Sequence, residues 1–229
     1  ELNLPGYSFG ERVDSHARIL GLEGDTLRLQ LFSETISARV PGGGAHRALT
    51  LAACLLAAKL LDADVTAAAE LPHDLVPMGR GNIRNKAGVE IVDDSYNANP
   101  ASMQAALTAF AADACRGRRY AVLGDMRELG ADSDDAHLQL LKAVINEPAV
   151  HGIIVVGAAM GEACRQLGLD EKSSLAQDCW LGHYESVSPH LLSYLAGALS
   201  EGDRVLVKGS NRIFWHVDFV EQLIEHMPG

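Results

Sequence analysis

Cysteine is scarce. Cys54, Cys115, Cys164 and Cys179 lie far apart, with no CxxC pair and no Cys/His spacing suited to zinc. That pattern argues against a disulfide framework and a zinc site, predicts four reduced thiols, mostly buried as small apolar groups, and sets a cytoplasmic expectation. Long apolar runs are missing too: none reaches the ~18 residues that a membrane span needs, and no secretory leader is expected. Basic residues are outnumbered, with 19 Lys and Arg against 30 Asp and Glu, for a formal net charge of −11. Such a surface repels polyanions, so neither nucleic acid nor membrane is expected as a partner. The nine histidines form no HExxH, and no GxSxG serine elbow is present. No strand is followed by GxGxxG, which disfavours a dinucleotide-dependent oxidoreductase, and GxxxxGK[ST] is absent from the chain.

What remains is a folded composition. The 229 residues (24.4 kDa) are 48% hydrophobic and 21% charged, which points to one or two globular domains. The first residue is Glu1 rather than Met, so a trimmed or excised piece of something longer is expected. From Ser8 to Val40, alternation at period two (His16–Leu20, Thr26–Leu31, Thr35–Val40) predicts an antiparallel meander. After Pro41 and three glycines, Ala45–Leu61 reads as a helix apolar nearly all round and therefore largely buried, and Asp64 is placed to cap a short helix to Glu70.

After Pro77 the rhythm becomes strand–helix–strand. Val89–Val92, Tyr120–Leu123, Ile153–Val156 and Arg204–Val207 are apolar runs. Helices alternate with them, opening at Asn99-Pro100, Ser133-Asp134-Asp135, about Met160 and Ser188-Pro189, with a last one from Phe214 to His226. That alternation predicts a Rossmann-like α/β domain, a mostly parallel sheet with helices on both faces. A boundary at Gly79 divides the chain into 1–79 and 80–229.

In such a sheet ligands bind at the carboxyl ends of the strands. The turns there are polar: Asp93-Asp94-Ser95-Tyr96-Asn97-Ala98-Asn99-Pro100, Gly124-Asp125-Met126-Arg127-Glu128-Leu129-Gly130 and Lys208-Gly209-Ser210-Asn211-Arg212. Carboxylates, a tyrosine, amides and a lysine meeting at one crevice suit a nucleotide and an amine substrate, although each cluster alone reads as caps and turns. Gly157–Gly161 fits neither phosphate-loop pattern and is read as close packing of a turn. His46 reads as a capping or core histidine.

Gly79-Arg80, VDDSYNANP (Val92–Pro100), AVLGDMRELG (Ala121–Gly130) and VLVKGS (Val205–Ser210), with His137 in the following helix, resemble the Mur ligase family. The wording is most similar to the branch that joins D-Ala-D-Ala to a UDP-N-acetylmuramoyl-tripeptide. The resemblance implies that 1–79 is the end of a central ATP-binding domain and 80–229 the C-terminal domain, with a hinge at Met78-Gly79. It further implies an ATP-dependent, amide-forming ligase of peptidoglycan precursor synthesis, acting through an acyl phosphate as a cytoplasmic monomer. On it, His46, Arg80, Asp94 and Tyr96 would serve the nucleotide. Asn97, Asn99, Asp125, Lys208 and Ser210 would line the side that receives the dipeptide. Mg²⁺ is implied as well, its ligands mainly in a part of the central domain that this chain does not include. The chain departs from the family's GxHNxxN at Gly44–Thr50, where Arg47 and Thr50 stand in for asparagines. Arginine has no acceptor and threonine no amide, which keeps open a non-catalytic binding module. Another amide ligase of the superfamily, of folylpolyglutamate or cyanophycin type, is a further alternative, against which SYNANP argues.

Overall fold

The computed structural model describes residues 6–70, 72, 76–169 and 179–228. The chain forms two compact units, Glu1–Val76 and Pro77–Gly229. In the first, β1 (Phe9–Gly10), β2 (Ala17–Glu23), β3 (Thr26–Leu31) and β4 (Glu34–Arg39) make a sheet in sequence order. Strands β2 to β4 are the antiparallel meander that the alternation predicts. Leu27, Leu29 and Leu31 point to the core while Thr26 and Arg28 face out. The parallel pairing of β1 with β2 was not expected, since two residues carry no period.

Helices α1 (Ala45–Leu60) and α2 (Val65–Ala69) complete this unit. Asp64 caps α2 by accepting from the amides of Thr66 (2.9 Å) and Ala67 (3.1 Å). The expectation that α1 is buried nearly all round is corrected: Ala48, Leu51, Ala52, Leu55 and Leu56 face the meander, while His46, Leu49, Thr50 and Leu60 are exposed. The meander covers one face of α1 only, so Ala45, Ala57 and the two leucines on the other face meet water.

The second unit is a six-stranded sheet in the order β5 (Asn82–Lys86), β6 (Val89–Asp94), β10 (Arg204–Lys208), β7 (Arg119–Gly124), β8 (Gly152–Val156), β9 (Trp180–Tyr184). All neighbours run parallel except the β5–β6 hairpin. Alternation on buried strands builds two cores. Ile91, Val122, Ile154, Val205 and Val207 pack on one face with α6 (Pro189–Ala198) and α7 (Phe219–His226). Leu123, Ile153, Val155 and Leu206 pack on the other with α3 (Pro100–Ala112), α4 (Ser133–Ile145) and α5 (Ala158–Leu167). Each such side chain taken out of water contributes about 1.5–3 kcal/mol.

Three local expectations are corrected. Strands β5 and β9 lie at the sheet edges and lack the apolar run that marks the inner strands. The acidic residues Asp134 and Asp135 stand in the first turn of α4, but no side chain caps it, because a 3₁₀ turn at Gly130–Asp132 leads directly into it. The closing helix is broken: a 3₁₀ turn (Trp215–Val217) ends at Asp218, whose φ of 49° is left-handed, and α7 starts after it.

Candidate functional site

Strand β10 is the last in the chain yet lies between β6 and β7, parallel to both. The connection from β6 through α3 therefore skips a place in the sheet, which makes β10 the topological switch point where crevices form. The residues that end β6, β7 and β10 sit together on that edge.

Lys208 closes β10 opposite Asp94 of β6. Its ammonium is 3% exposed and donates to Asp94 Oδ2 at 2.7 Å and to the carbonyl of Asn97 at 3.1 Å. A charge so placed is held by its partners, because removing one of a buried pair typically costs 3–5 kcal/mol. Asp93, on the opposite face of β6, is buried and accepts from the amide and hydroxyl of Ser95. Burial holds its carboxyl above the usual carboxylate range, against the pull of those hydrogen bonds.

Beyond Ser95 the chain turns through Tyr96 to Asn99. Tyr96 is half exposed, and the Arg80 guanidinium lies over its ring at 4.3 Å. Trp215 meets the same ring edge-on at 5.5 Å. The Tyr96 amide donates to the Gly79 carbonyl at 2.9 Å. Gly79 has φ 72° and lies so near Trp215 that a methyl there would fall 2.6 Å from the indole, so only glycine fits. Asn97 Oδ1 accepts from the Ala98 amide at 2.9 Å. Asn99 caps α3 in a reciprocal box with Ser102.

The β7 turn is held differently. The two carboxylate oxygens of Asp125 accept from Ala159 (3.2 Å) and Met160 (2.9 Å), at the N-terminus of α5. The Gly157–Gly161 turn is thus filled from within by a protein anion, in keeping with its reading as packing rather than a phosphate loop. The Asp125 carbonyl accepts from the Ser210 amide at 3.0 Å. The Ser210 hydroxyl, 3% exposed, has no hydrogen-bond partner among the described residues. His137 is fully buried: Nε2 accepts from the Met126 amide at 2.8 Å and Nδ1 donates to the Ser133 carbonyl at 2.7 Å. Both ring nitrogens are in use, so His137 shapes the turn.

Of the residues singled out in the sequence, the structure joins Asp94, Asn97 and Lys208 through one ammonium, Arg80 with Tyr96 through a ring, and Asp125 with Ser210 through the backbone. His46 belongs to the other unit, exposed in the first turn of α1. Trp215 and the Asp125–α5 cap were missed. Nothing in a tryptophan at the head of an amphipathic run signals that the helix will break and turn the indole toward Gly79. Among the described residues no group of three His, Cys, Asp or Glu could hold a metal ion, so no step is assigned to Mg²⁺ on this chain. Nor is any described helix long and apolar enough to cross a membrane.

Residues 79–211 match the model of the Mur ligase glutamate ligase domain, more than half of the chain. A UDP-N-acetylmuramoyl-tripeptide–D-alanyl-D-alanine ligase of Mycobacterium tuberculosis is 34% identical over 143 residues, which cover 54% of this chain and 26% of that protein. The enzyme of the same name from Treponema pallidum is 35% identical over 182 residues, 76% of this chain and 36% of its own length. The MurF ligase of Thermotoga maritima, solved in complex with ADP, superposes with a TM-score of 0.69 at 24% identity, over 95% of this chain and 48% of that one. The chain therefore spans a quarter to a half of the proteins it matches, and it belongs to the Mur ligase family.

Proposed function

We propose that this chain is the C-terminal portion of an ATP-dependent ligase that joins D-Ala-D-Ala to a UDP-N-acetylmuramoyl-tripeptide in the cytoplasm. Residues 1–79 are read as the end of the central ATP-binding domain and 80–229 as the C-terminal domain, and the protein as a monomer. The observation that carries this reading is the meeting of the β6, β7 and β10 turns at one switch point, where the buried Ser210 hydroxyl has no partner among the described residues. A buried hydroxyl is satisfied by a partner, which a bound water or a ligand supplies. The family membership and the names of the relatives support the substrate assignment.

In the reaction proposed, a carboxylate oxygen of the tripeptide attacks the γ-phosphorus of ATP and ADP leaves. The neutral amine of D-Ala-D-Ala then attacks the acyl carbon, phosphate leaves and the amine gives up a proton. Such chemistry rests on positioning and charge neutralisation. Arg80 supplies an exposed cation for phosphate oxygens, with Tyr96 holding it from one side. Asp94, one oxygen of which is occupied by Lys208, keeps the other for the ribose. Ser210 Oγ and the Asn97 amide nitrogen are the groups offered to the dipeptide, with Asn99, Asp125 and Lys208 fixing the turns that carry them. His46, which belongs to the other unit, is given to the nucleotide by the family resemblance alone. Mg²⁺, when bound, supplies charge neutralisation at the phosphates.

The test is phosphate release from ATP by the full-length protein given UDP-N-acetylmuramoyl-tripeptide. Release that requires D-Ala-D-Ala is expected. Release driven by glutamate with a folate, or by the amino acids of cyanophycin, would replace this reading with the other amide ligases.

One observation favours a second reading. Arg47 donates to the Gly42 carbonyl at 2.7 Å and the Thr50 hydroxyl to the His46 carbonyl at 3.1 Å, so both positions where the family carries asparagine are turned onto the backbone. A non-catalytic binding module follows if calorimetry finds no ATP or ADP binding by the full-length protein.

A further inference from the structure

Strand β10 carries an ion pair at each end. Arg204 pairs with Glu90 where the strands begin, and Lys208 pairs with Asp94 where they stop. The backbone ladder already fixes β10 against β6 from Arg204↔Glu90 to Lys208↔Asp94, so the sheet needs no second strut. The two pairs differ in what else they hold. Arg204 also pairs with Asp113, beyond the end of α3, whereas Lys208 also bonds the Asn97 carbonyl, three residues beyond Asp94 and on the far side of Tyr96. One ammonium therefore spans the turn from its nucleotide-facing end to its acceptor-facing end, and at 3% exposure it is little screened by water or salt.

We infer that Lys208 is a positioning residue that acts through Asp94. It locks Asp94 and Asn97 into one rigid turn, so that a nucleotide seated on Asp94 also sets the place of the amine acceptor. The inference rests on the nucleotide reading of Asp94 given above.

The experiment measures ADP affinity by calorimetry and the KM for D-Ala-D-Ala, on the full-length protein. The variants are Lys208→Met, Asp94→Asn, the two combined, and Glu90→Gln as a control that breaks the other pair. Lys208→Met is expected to weaken ADP binding about tenfold and to raise the dipeptide KM. The double variant should bind ADP within twofold of Asp94→Asn alone, because a lysine acting through Asp94 has nothing further to lose. Glu90→Gln should stay within twofold of the parent. Independent, multiplying losses from Lys208→Met and Asp94→Asn would overturn the inference, as would unchanged ADP binding in Lys208→Met. If Lys208→Met does not fold, Lys208→Gln takes its place. Hydrogen exchange on the unmodified protein supplies a second reading: ADP should slow exchange at the Asn97 amide, and no change there would overturn the inference. Failure of the unmodified protein to bind ADP removes the nucleotide reading itself, a result distinct from normal binding by the lysine variants.

Discussion

The carboxyl group of Asp125 occupies the space that a side chain on Gly157 would need. The two residues come from different turns, yet the absence of one side chain is what admits the other to the N-terminus of α5.

Gly157→Ala should therefore be strongly destabilising. The new methyl collides with the Asp125 carboxylate, and φ at 117° is strained for any residue with a Cβ. A loss of roughly 2–4 kcal/mol is expected from overpacking, backbone strain and the displaced cap together. Urea unfolding measures it, and a variant within 0.5 kcal/mol of the parent, the range of ordinary surface changes, would refute the geometry.

Asp93 predicts a pH signature. Its carboxyl is raised in the folded state, so the native protein holds that proton more tightly than the unfolded chain does. The group thus opposes folding at neutral pH, and stability is recovered as pH falls through the raised folded value toward the unfolded ~3.9. Asn at this position can still accept from Ser95 and carries no charge. Asp93→Asn should gain on the parent at pH 7 and lose that gain near pH 4. Unfolding curves at the two pH values decide it, and a pH-independent difference would contradict the burial argument.

The thiols should divide by reactivity. Burial pushes Cys164 up to about 11, whereas Cys54 is exposed. At pH 8 a thiol-specific disulfide reagent is expected to modify Cys54 in the native protein and Cys164 only after denaturation. Peptide mapping of the labelled chain reads this out, and native labelling of Cys164 would contradict its burial.

Purified alone, the 229-residue chain should release no phosphate from ATP, since it carries no GxxxxGK[ST]. A metal-dependent ATPase activity from this chain would show that the phosphates are held by residues outside that motif.

Much of the second unit was legible because its inner strands are buried on both faces. Tyr120–Leu123, Ile153–Val156 and Arg204–Val207 read as continuous apolar runs for that reason alone. Edge strands face water on one side: Asn82–Lys86 holds a single aliphatic residue, Ile83, which is itself exposed, and so it carries no such mark. The candidate site was legible as residue types and not as contacts. Asp94 and Lys208 are 114 positions apart, and their pairing follows only from the placing of β10 between β6 and β7. Asn99 and Asp125 could be read as polar turn residues, but only the fold shows that the first closes a cap on its own helix and the second on the helix after the next strand.

The late arrival of β10 governs assembly. During synthesis the β5–β6 hairpin and the β7–β8–β9 half emerge first, and neither can hydrogen-bond to the other across the gap that separates them. Pairings this distant in sequence form slowly, so the two halves wait with open edges for a keystone strand. A chain cut before Arg204 would leave two unjoined ribbons, and the same last segment that zips the sheet delivers the ammonium to Asp94. Completion of the fold and completion of the site are a single event.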